Sequence, residues 1–269
     1  MDYQDKFAVV TGASSGIGRA FAEELARRGT GVALVARRAD RLLEIAEDLT
    51  DRHGVPAQVI AADLTAPDSL ATVRKRLDEA GRSVDILINN AGFASAGRFV
   101  DVDPQRLRRE VDLDVAAVAG LAREFLPDMV RRRSGLVINV ASTAAFQPVP
   151  YMATYGAAKA FVLSLSEALA AEYRPHGVRV LALCPGPVDT EFFDVVGARR
   201  DGRGRSMAAL GRMARPEDVV RSALRAADQG RLMVAPGLLN TGLSVMSRLA
   251  PRRLVLAVAE RALRGAGAR

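Results

Sequence analysis

A glycine-rich turn directly after a short apolar strand constrains this chain more than any other feature of its sequence. The turn reads Thr11-Gly12-Ala13-Ser14-Ser15-Gly16-Ile17-Gly18, and it separates a strand predicted at residues 7–10 from a helix. Glycine permits a tight turn, lets backbone N–H groups approach a pyrophosphate and allows close helix packing. The helix N-terminus favours negative charge. A plain structural turn is the alternative, but the strand–turn–helix context predicts dinucleotide contacts from Gly12, Ser14, Ser15, Gly16, Ile17 and Gly18.

Short β-branched runs alternate with helical segments along the chain. Strands are predicted at residues 7–10, 31–36, 57–62, 86–88, 135–140, 178–183 and 232–234, and helices at 17–28, 40–52, 68–80, 104–132, 153–173 and 216–229. This alternation is typical of a doubly wound parallel sheet with helices on both faces. We therefore predict a single-domain α/β fold with seven strands over residues 1–235. A short helical extension over residues 236–269 is expected to pack on the same domain.

The net charge of +7 raises the question of nucleic-acid binding. The basic runs are scattered, however, and the chain has no Trp, four Tyr and nine Phe with which to stack bases. The runs are Arg37-Arg38, residues 131–133, Arg199-Arg200 and Arg252-Arg253. A solvated, arginine-rich surface is the better interpretation, so no nucleic-acid partner is expected.

The cysteine usage and the N-terminus indicate a cytoplasmic protein. The single cysteine, Cys184, lies in an apolar run and cannot pair within the chain, which is typical of a reduced, buried thiol. The first predicted strand follows the N-terminus at once and leaves no room for an export signal.

The end of the second strand predicts which dinucleotide is bound. In sites that prefer NAD, an acidic residue about 20 residues after the glycine turn receives the ribose hydroxyl. This chain has Arg37 and Arg38 there, and a guanidinium can neutralise a 2′-phosphate that a carboxylate would repel. Asp40 is the rival, but it is predicted to be the N-cap of the next helix. We therefore predict NADP(H).

Tyr155 and Lys159 are spaced i, i+4, which places both side chains on one helix face. Lys159 is the only formal charge between Arg133 and Glu167. We expect its ammonium to act on Tyr155 with little local competition and to lower the pKa of the phenol toward working pH. Such a tyrosine suits general acid/base catalysis. The alternative is a helical tyrosine beside a snorkelling lysine.

In family order, the turn at residues 11–18, Asn89-Asn90-Ala91-Gly92, Ser142, Tyr155-x-x-x-Lys159 and Pro185-Gly186 resemble the signature set of the short-chain dehydrogenase/reductase family. The resemblance covers roughly residues 5–235. It implies a Rossmann fold and hydride transfer between NADP(H) and a carbonyl or alcohol. Tyr155 would exchange a proton with the substrate oxygen, Ser142 would orient that oxygen, and Lys159 would hold the nicotinamide ribose.

The resemblance also implies further cofactor contacts, from Asp63, Leu64, Asn90, Ala91, Gly92, Pro185, Gly186, Val188 and Thr190. Three of these residues have structural alternatives. Asp63 and Thr190 could be helix caps, and Asn90 could be a turn former.

One position departs from the family pattern. The family carries an asparagine in the long helix before the serine strand, whereas this chain has Asp114 and no asparagine between Asn90 and Asn139. Aspartate keeps acceptor oxygens, loses the amide donor and can add negative charge. A water relay could survive, turnover could slow because the charge opposes phenolate formation, or cofactor could bind without useful turnover. Asp114 therefore joins the catalytic candidates, and a non-catalytic NADP-binding sensor is the alternative function.

Substrate and partners are the least constrained features. The aromatic residues Phe93, Phe146, Tyr151, Phe192 and Phe193 flank the signature positions and favour an apolar carbonyl or alcohol substrate, although they could be core. The resemblance implies a homodimer or homotetramer, and no metal site is predicted. Residues 197–205 are interpreted as a mobile loop and lid.

The C-terminal region raises the question of membrane contact. Residues 238–264 form Leu-rich segments split by Pro251, with basic residues at Arg248, Arg252, Arg253, Arg261 and Arg264. A membrane-surface protein is thus a second alternative, but packing of this tail on the domain is the simpler expectation.

Overall fold

The computed structural model describes residues 2–192, 213–237, 240–242 and 251–263. Seven strands form one sheet, and every pair of neighbours is parallel. They are β1 (Phe7–Thr11), β2 (Gly31–Ala36), β3 (Ala57–Ala61), β4 (Ile86–Asn89), β5 (Gly135–Val140), β6 (Val178–Leu183) and β7 (Met233–Val234). The predicted seven-stranded α/β fold is confirmed, and β2, β5 and β6 begin and end at the predicted residues.

Within the described residues, helices cover both faces of the sheet. They are α1 (Gly16–Arg27), α2 (Ala39–His53), α3 (Ser69–Glu79), α4 (Pro104–Val111), α5 (Val118–Arg131), α6 (Ala153–Tyr173), α7 (Pro216–Asp228) and α8 (Arg252–Leu263). Apolar residues of α1, α2 and α7 form the core on one face, whereas those of α3, α5 and α6 form it on the other. Burial of apolar side chains on both sides accounts for the nearly continuous apolar strands.

The predicted single helix over residues 104–132 is not regular. Between α4 and α5 lies a π-helical segment, Asp112–Ala117, in which the turn is wider than in an α-helix. The prediction of one continuous α-helix missed this insertion. Single π-helical turns are frequently found at functional sites, and this one carries the fully buried Asp114.

The strand order, β3-β2-β1-β4-β5-β6-β7, reverses direction beside β1. From β1 the chain first adds strands on one side and then returns to add β4 on the other. The two sets of connections therefore diverge at the carboxyl ends of β1 and β4, which leaves a crevice there.

A buried chain of polar side chains fixes α6 on the sheet. The amide of Asn89, at the end of β4, donates to the side-chain oxygen of Asn139 on β5 at 2.9 Å. Asn139 in turn donates to the hydroxyl of Ser166 on α6 at 2.9 Å, and that hydroxyl donates to the carbonyl oxygen of Val162 at 2.6 Å. These bonds are directional and buried, so they set the register of α6 more sharply than apolar packing alone.

Several sequence predictions concern the chain ends and loops. Cys184 is fully buried directly after β6, as expected. No helix among the described residues combines the length and apolar character needed to cross a bilayer. The lid predicted at residues 197–205, and also Phe193, Arg248 and Arg264, lie outside the described residues. The division at residues 235 and 236 stays a prediction.

We expect Ser166→Ala to lower the free energy of unfolding by about 1–3 kcal/mol, because it leaves the buried amide of Asn139 without its hydrogen-bond acceptor. Thr72→Ala is a matched control, since the Thr72 hydroxyl also donates to the carbonyl four residues earlier but lies exposed on α3. The control should change stability by less than about 0.5 kcal/mol. Urea unfolding measures both, and equal losses would contradict a structural role for the buried chain.

Candidate active site

The carboxyl ends of the central strands open onto a cavity of about 800 Å³, within the range of small-molecule and cofactor sites. All but two of the catalytic and cofactor-binding residues predicted from the sequence line it. These lining residues are Gly12, Ser14, Ser15, Gly16, Ile17, Arg37, Arg38, Asp63, Leu64, Asn90, Ala91, Gly92, Ser142, Tyr155, Lys159, Pro185, Gly186, Val188 and Thr190. The other two, Gly18 and Asp114, are not lining residues.

The glycine turn has the geometry that its sequence predicts. Gly12 and Gly16 have φ values of +65° and +55°, in the left-handed region that favours glycine. A Cβ atom on Gly18 would lie 2.3 Å from the carbonyl oxygen of Gly12, so Gly18 permits close packing of α1 against the turn. Ser15 is the N-cap of α1, but its side chain makes no capping bond. The start of α1 therefore faces the cavity with the charge preference of a helix N-terminus.

The hydroxyl of Thr11 joins the ends of β1 and β4. It donates to the carbonyl oxygen of Ile88 at 3.2 Å and accepts the backbone N–H groups of Asn90 and Ala91, each at 2.9 Å. The Asn90 amide donates back to the carbonyl oxygen of Thr11 at 2.9 Å. Asn90 therefore forms part of the cavity floor and also stabilises the turn.

Arg38 connects the second strand to the glycine turn. Its guanidinium donates to the hydroxyl of Ser14 at 2.9 Å and to that of Ser15 at 3.2 Å. Arg37 is exposed at the same edge of the cavity. The N-cap of α2 is Arg38, so the prediction that Asp40 caps this helix is wrong; Asp40 lies in its first turn, where a carboxylate complements the helix dipole.

Asp63 and Thr190 both stabilise turns, and both line the cavity. Asp63 accepts the backbone N–H and the hydroxyl of Thr65, at 3.0 and 2.8 Å, and these bonds lower its pKa. Asp63 does not cap α3, whose N-cap is Asp68. Thr190 accepts the backbone N–H of Phe192, two residues later, at 3.4 Å, so its hydroxyl stabilises a turn; a cap at Thr190 stays a prediction.

Helix α6 carries Tyr155 and Lys159, which their i, i+4 spacing places on one helix face. The Lys159 Nζ atom lies 5.5 Å from the centre of the Tyr155 ring and donates to the carbonyl oxygen of Val140 at 3.2 Å. Ser142 follows β5 and accepts the backbone N–H of Ala144 at 3.1 Å. The Tyr155 ring also packs on that of Phe192, with centroids 5.6 Å apart. Ser142, Tyr155 and Lys159 therefore meet at one wall of the cavity.

Asp114 lies behind that wall and forms an ion pair with the lysine. Its Oδ2 atom is 2.9 Å from Lys159 Nζ, and the two side chains are 0% and 7% exposed. Its Oδ1 atom accepts the backbone N–H of Phe93 at 3.1 Å. The expectation that Lys159 acts with little local competition is therefore wrong, because a carboxylate distant in sequence neutralises it.

The pKa of Tyr155 is raised, which also corrects the sequence prediction. Burial is the largest cause; the Lys159 ammonium and a hydrogen bond with Ser142 oppose it, and the carboxylates of Asp114 and Glu110 add to it. Burial lowers the pKa of Lys159, but Asp114 and Tyr155 outweigh it and raise that pKa overall. At neutral pH the tyrosine is thus a protonated phenol beside a protonated amine, an arrangement suited to donating a proton.

Glu110 is a member of this charge group that sequence reasoning missed. It lies fully buried on α4, and burial raises its pKa, against the opposing effects of Ser95 and Arg106. The signal was available in the sequence, since Glu110 precedes Asp114 by four residues and so occupies nearly the same helix face.

The rest of the cavity wall is mixed in character. Of the aromatic residues predicted near the substrate, Phe93 and Phe192 line the cavity. Phe146 instead packs against a buried apolar cluster that includes Val162 and Cys184, and Tyr151 is not a lining residue. Further lining residues not singled out from the sequence include Arg106, Arg109, Leu113, Gln147, Val149 and Met152. In the described part of the chain, no His, Cys, Asp and Glu side chains are grouped as metal ligands.

Comparison with known proteins agrees with this geometry. Residues 6–201 match the family described as short chain dehydrogenase. The chain is 35% identical to an uncharacterised oxidoreductase of Staphylococcus epidermidis over 70% of this chain and 80% of the relative. It is also 35% identical to the very-long-chain 3-oxoacyl-CoA reductase of Anas platyrhynchos, over 69% of this chain and 61% of that longer relative.

Solved structures give the same result. A short-chain dehydrogenase from Sphingobium yanoikuyae in complex with NADPH superposes with a TM-score of 0.80 at 36% identity, covering 97% of this chain and 95% of the other. A 3-ketoacyl-(acyl-carrier-protein) reductase from Brucella melitensis complexed with NADH has a TM-score of 0.74 at 31% identity, covering 87% and 98%. Similar proteins have thus been solved with either nicotinamide nucleotide.

We expect Lys159→Met to lower the free energy of unfolding by about 3–5 kcal/mol at about pH 8, because it leaves the Asp114 carboxylate buried without its counter-charge. The loss should be smaller at about pH 5. Burial raises the pKa of Asp114 in the folded state, and an acid whose pKa is raised by folding destabilises the fold as pH increases above its unfolded value.

Lys75→Met is the control, since Lys75 forms an exposed pair with Glu79 at 3.8 Å. It should change stability by less than about 0.5 kcal/mol. Urea unfolding at both pH values measures the two variants. If Lys159→Met lowered the free energy of unfolding equally at both pH values, the result would contradict a buried ion pair between Lys159 and Asp114.

Proposed function

The chain belongs to the short-chain dehydrogenase/reductase family, and we propose that it is an NADP(H)-dependent oxidoreductase acting on a carbonyl or alcohol substrate. The observation that carries this proposal is the meeting of Ser142, Tyr155 and Lys159 at the wall of a cavity whose other end is the glycine turn. A proton donor and a dinucleotide-type site in one crevice are what carbonyl reduction requires.

The cofactor residues fit a phosphorylated dinucleotide. The turn from Gly12 to Gly16 and the start of α1 provide backbone donors for a pyrophosphate. Arg37 and Arg38 place guanidinium groups at the end of β2, where a 2′-phosphate would need them. Because relatives are known with NADPH and with NADH, the preference for NADP(H) rests on these two arginines.

Each catalytic candidate has a separate role in the proposed reduction. A bound nicotinamide supplies the hydride in reduction and accepts it in oxidation. The Tyr155 hydroxyl donates a proton to the carbonyl oxygen and takes it back in the oxidation direction. Ser142 orients that oxygen with a neutral hydroxyl donor. Lys159 keeps its positive charge beside Tyr155 and holds the nicotinamide ribose, while Asp114 positions Lys159.

The remaining proposals are less specific. Phe93, Phe192, Val149 and Met152 favour a substrate with apolar groups next to the carbonyl. We also propose a homodimer or homotetramer in the cytoplasm, with the C-terminal extension packed on the same domain and no dependence on nucleic acid or membrane. The sensor alternative, which binds NADP(H) without turnover, is separated from the enzyme by the next experiment.

Tyr155→Phe should reduce NADPH consumption with a panel of aldehydes and ketones by about 10²–10⁴-fold, because the proton donor is lost. NADPH binding should stay within about twofold, since only a hydroxyl is removed. Tyr173→Phe, at the other end of α6, is the control and should keep full activity. Tight binding of NADPH by the wild-type protein with no turnover on any carbonyl would instead support the sensor.

Asp114→Asn should preserve or raise the rate of carbonyl reduction. Burial is the main cause of the raised pKa of Tyr155, and the negative charge of Asp114 adds to it. Removing that charge should therefore move the rising limb of alcohol oxidation, where Tyr155 becomes the phenolate base, to lower pH. Profiles of kcat/KM against pH measure the shift. Asp112→Asn, in the same π-helical segment, should leave the profile unchanged. A loss of more than about tenfold in Asp114→Asn would show that the carboxylate has a positive role.

A further inference from the structure

Glu191 reaches across the mouth of the crevice to two arginines. One of its carboxylate oxygens lies 2.7 Å from Arg41 on α2, and the other lies 2.9 Å from Arg38 at the end of β2. Glu191 itself follows β6, on the opposite side of the strand-order reversal. Both Arg38 and Glu191 line the cavity. Local sequence patterns do not reveal this contact, because about 150 residues separate Glu191 from the two arginines.

The guanidinium groups of Arg38 and Arg41 together can bind an anion. Arg38 is held in place by the hydroxyls of Ser14 and Ser15 in the glycine turn, and its Nη1 atom donates to Glu191. The bonds from Arg41 and Arg38 lower the pKa of Glu191, so its carboxylate is charged at neutral pH. A carboxylate shared by two guanidinium groups presents the same chemistry as one edge of a phosphate.

We propose that Glu191 is a determinant of cofactor specificity, an internal anion that occupies the guanidinium groups to which the 2′-phosphate of NADP(H) binds. The inference rests on the proposed function, because it assigns the 2′-phosphate to Arg38. Glu191 and the phosphate compete for the same donors and repel each other, so Glu191 must release the arginines when NADP(H) binds. A ribose 2′-hydroxyl carries no charge, and NAD(H) therefore makes no such demand. Glu191 therefore reduces the preference for NADP(H) over NAD(H) that the arginines create.

The test compares ligands that differ by the 2′-phosphate alone. Adenosine 2′,5′-bisphosphate and AMP are titrated calorimetrically into the wild-type protein and Glu191→Gln, followed by NADPH and NADH. Exposed ion pairs each correspond to roughly 1.5–5-fold in an equilibrium constant, and Glu191 makes two. We expect Glu191→Gln to bind the bisphosphate and NADPH about 3–10-fold more tightly, with AMP and NADH unchanged within about twofold. The gain should shrink at high ionic strength.

Two further variants make the test specific. Asp48→Asn removes a carboxylate of similar exposure that pairs with Arg52 on the same helix at 2.7 Å, and it should change neither titration. In an Arg41→Gln background, Glu191→Gln should give a smaller gain because one of its ion pairs is already absent.

Equal tightening of both probes, or no change in either, would overturn the assignment of Glu191. The proposed function is judged separately. Wild-type turnover that is lost in Tyr155→Phe upholds the oxidoreductase even where Glu191→Gln changes neither probe.

Discussion

The reversal of strand order beside β1 is the constraint on which the rest of the structure depends. β1 and β4 are neighbours, and the chain leaves them in opposite directions. The loops that follow these two strands therefore cannot cover their carboxyl ends. The Thr11 hydroxyl forms hydrogen bonds between the ends of β1 and β4. These bonds fix the position of Asn90 relative to the glycine turn. The cavity is therefore a consequence of topology, and the residues that follow each strand supply its chemistry.

The charge in the site belongs to a group of residues rather than to one ammonium. Lys159 is paired with Asp114, Glu110 lies close enough to affect the pKa of Tyr155, and all three are buried. In a medium of low polarity, an unpaired lysine would tend to lose its proton; the carboxylate of Asp114 keeps it charged. With asparagine at this position, Glu110 would be the remaining carboxyl group that raises the pKa of Lys159. The aspartate is thus compatible with a working site, although it adds to the effect of burial in raising the pKa of the phenol.

The sequence predicted those parts of the protein that depend on local pattern. The strand bounds followed from apolar runs, the conformation of the turn followed from its glycines, and the meeting of Tyr155 and Lys159 followed from helix geometry. Features that depend on tertiary contacts were missed or misjudged. The prediction of one continuous α-helix missed the π-helical segment, and the partners of Lys159 and Arg38 are remote in sequence. The direction of the Tyr155 pKa was wrong because burial outweighs a neighbouring charge that is itself neutralised.

The central claim is that Tyr155, supported by the Lys159 and Asp114 pair, delivers the proton beside a bound NADP(H). A crystal structure of the protein with NADPH tests it most directly. In that structure we expect the Tyr155 hydroxyl to face the nicotinamide and the 2′-phosphate to lie on Arg38. We expect Lys159 to lie within hydrogen-bonding distance of the adjoining ribose and to stay paired with Asp114. A Tyr155 hydroxyl turned away from the nucleotide, or a Lys159 amine engaged elsewhere while the nucleotide is bound, would contradict it.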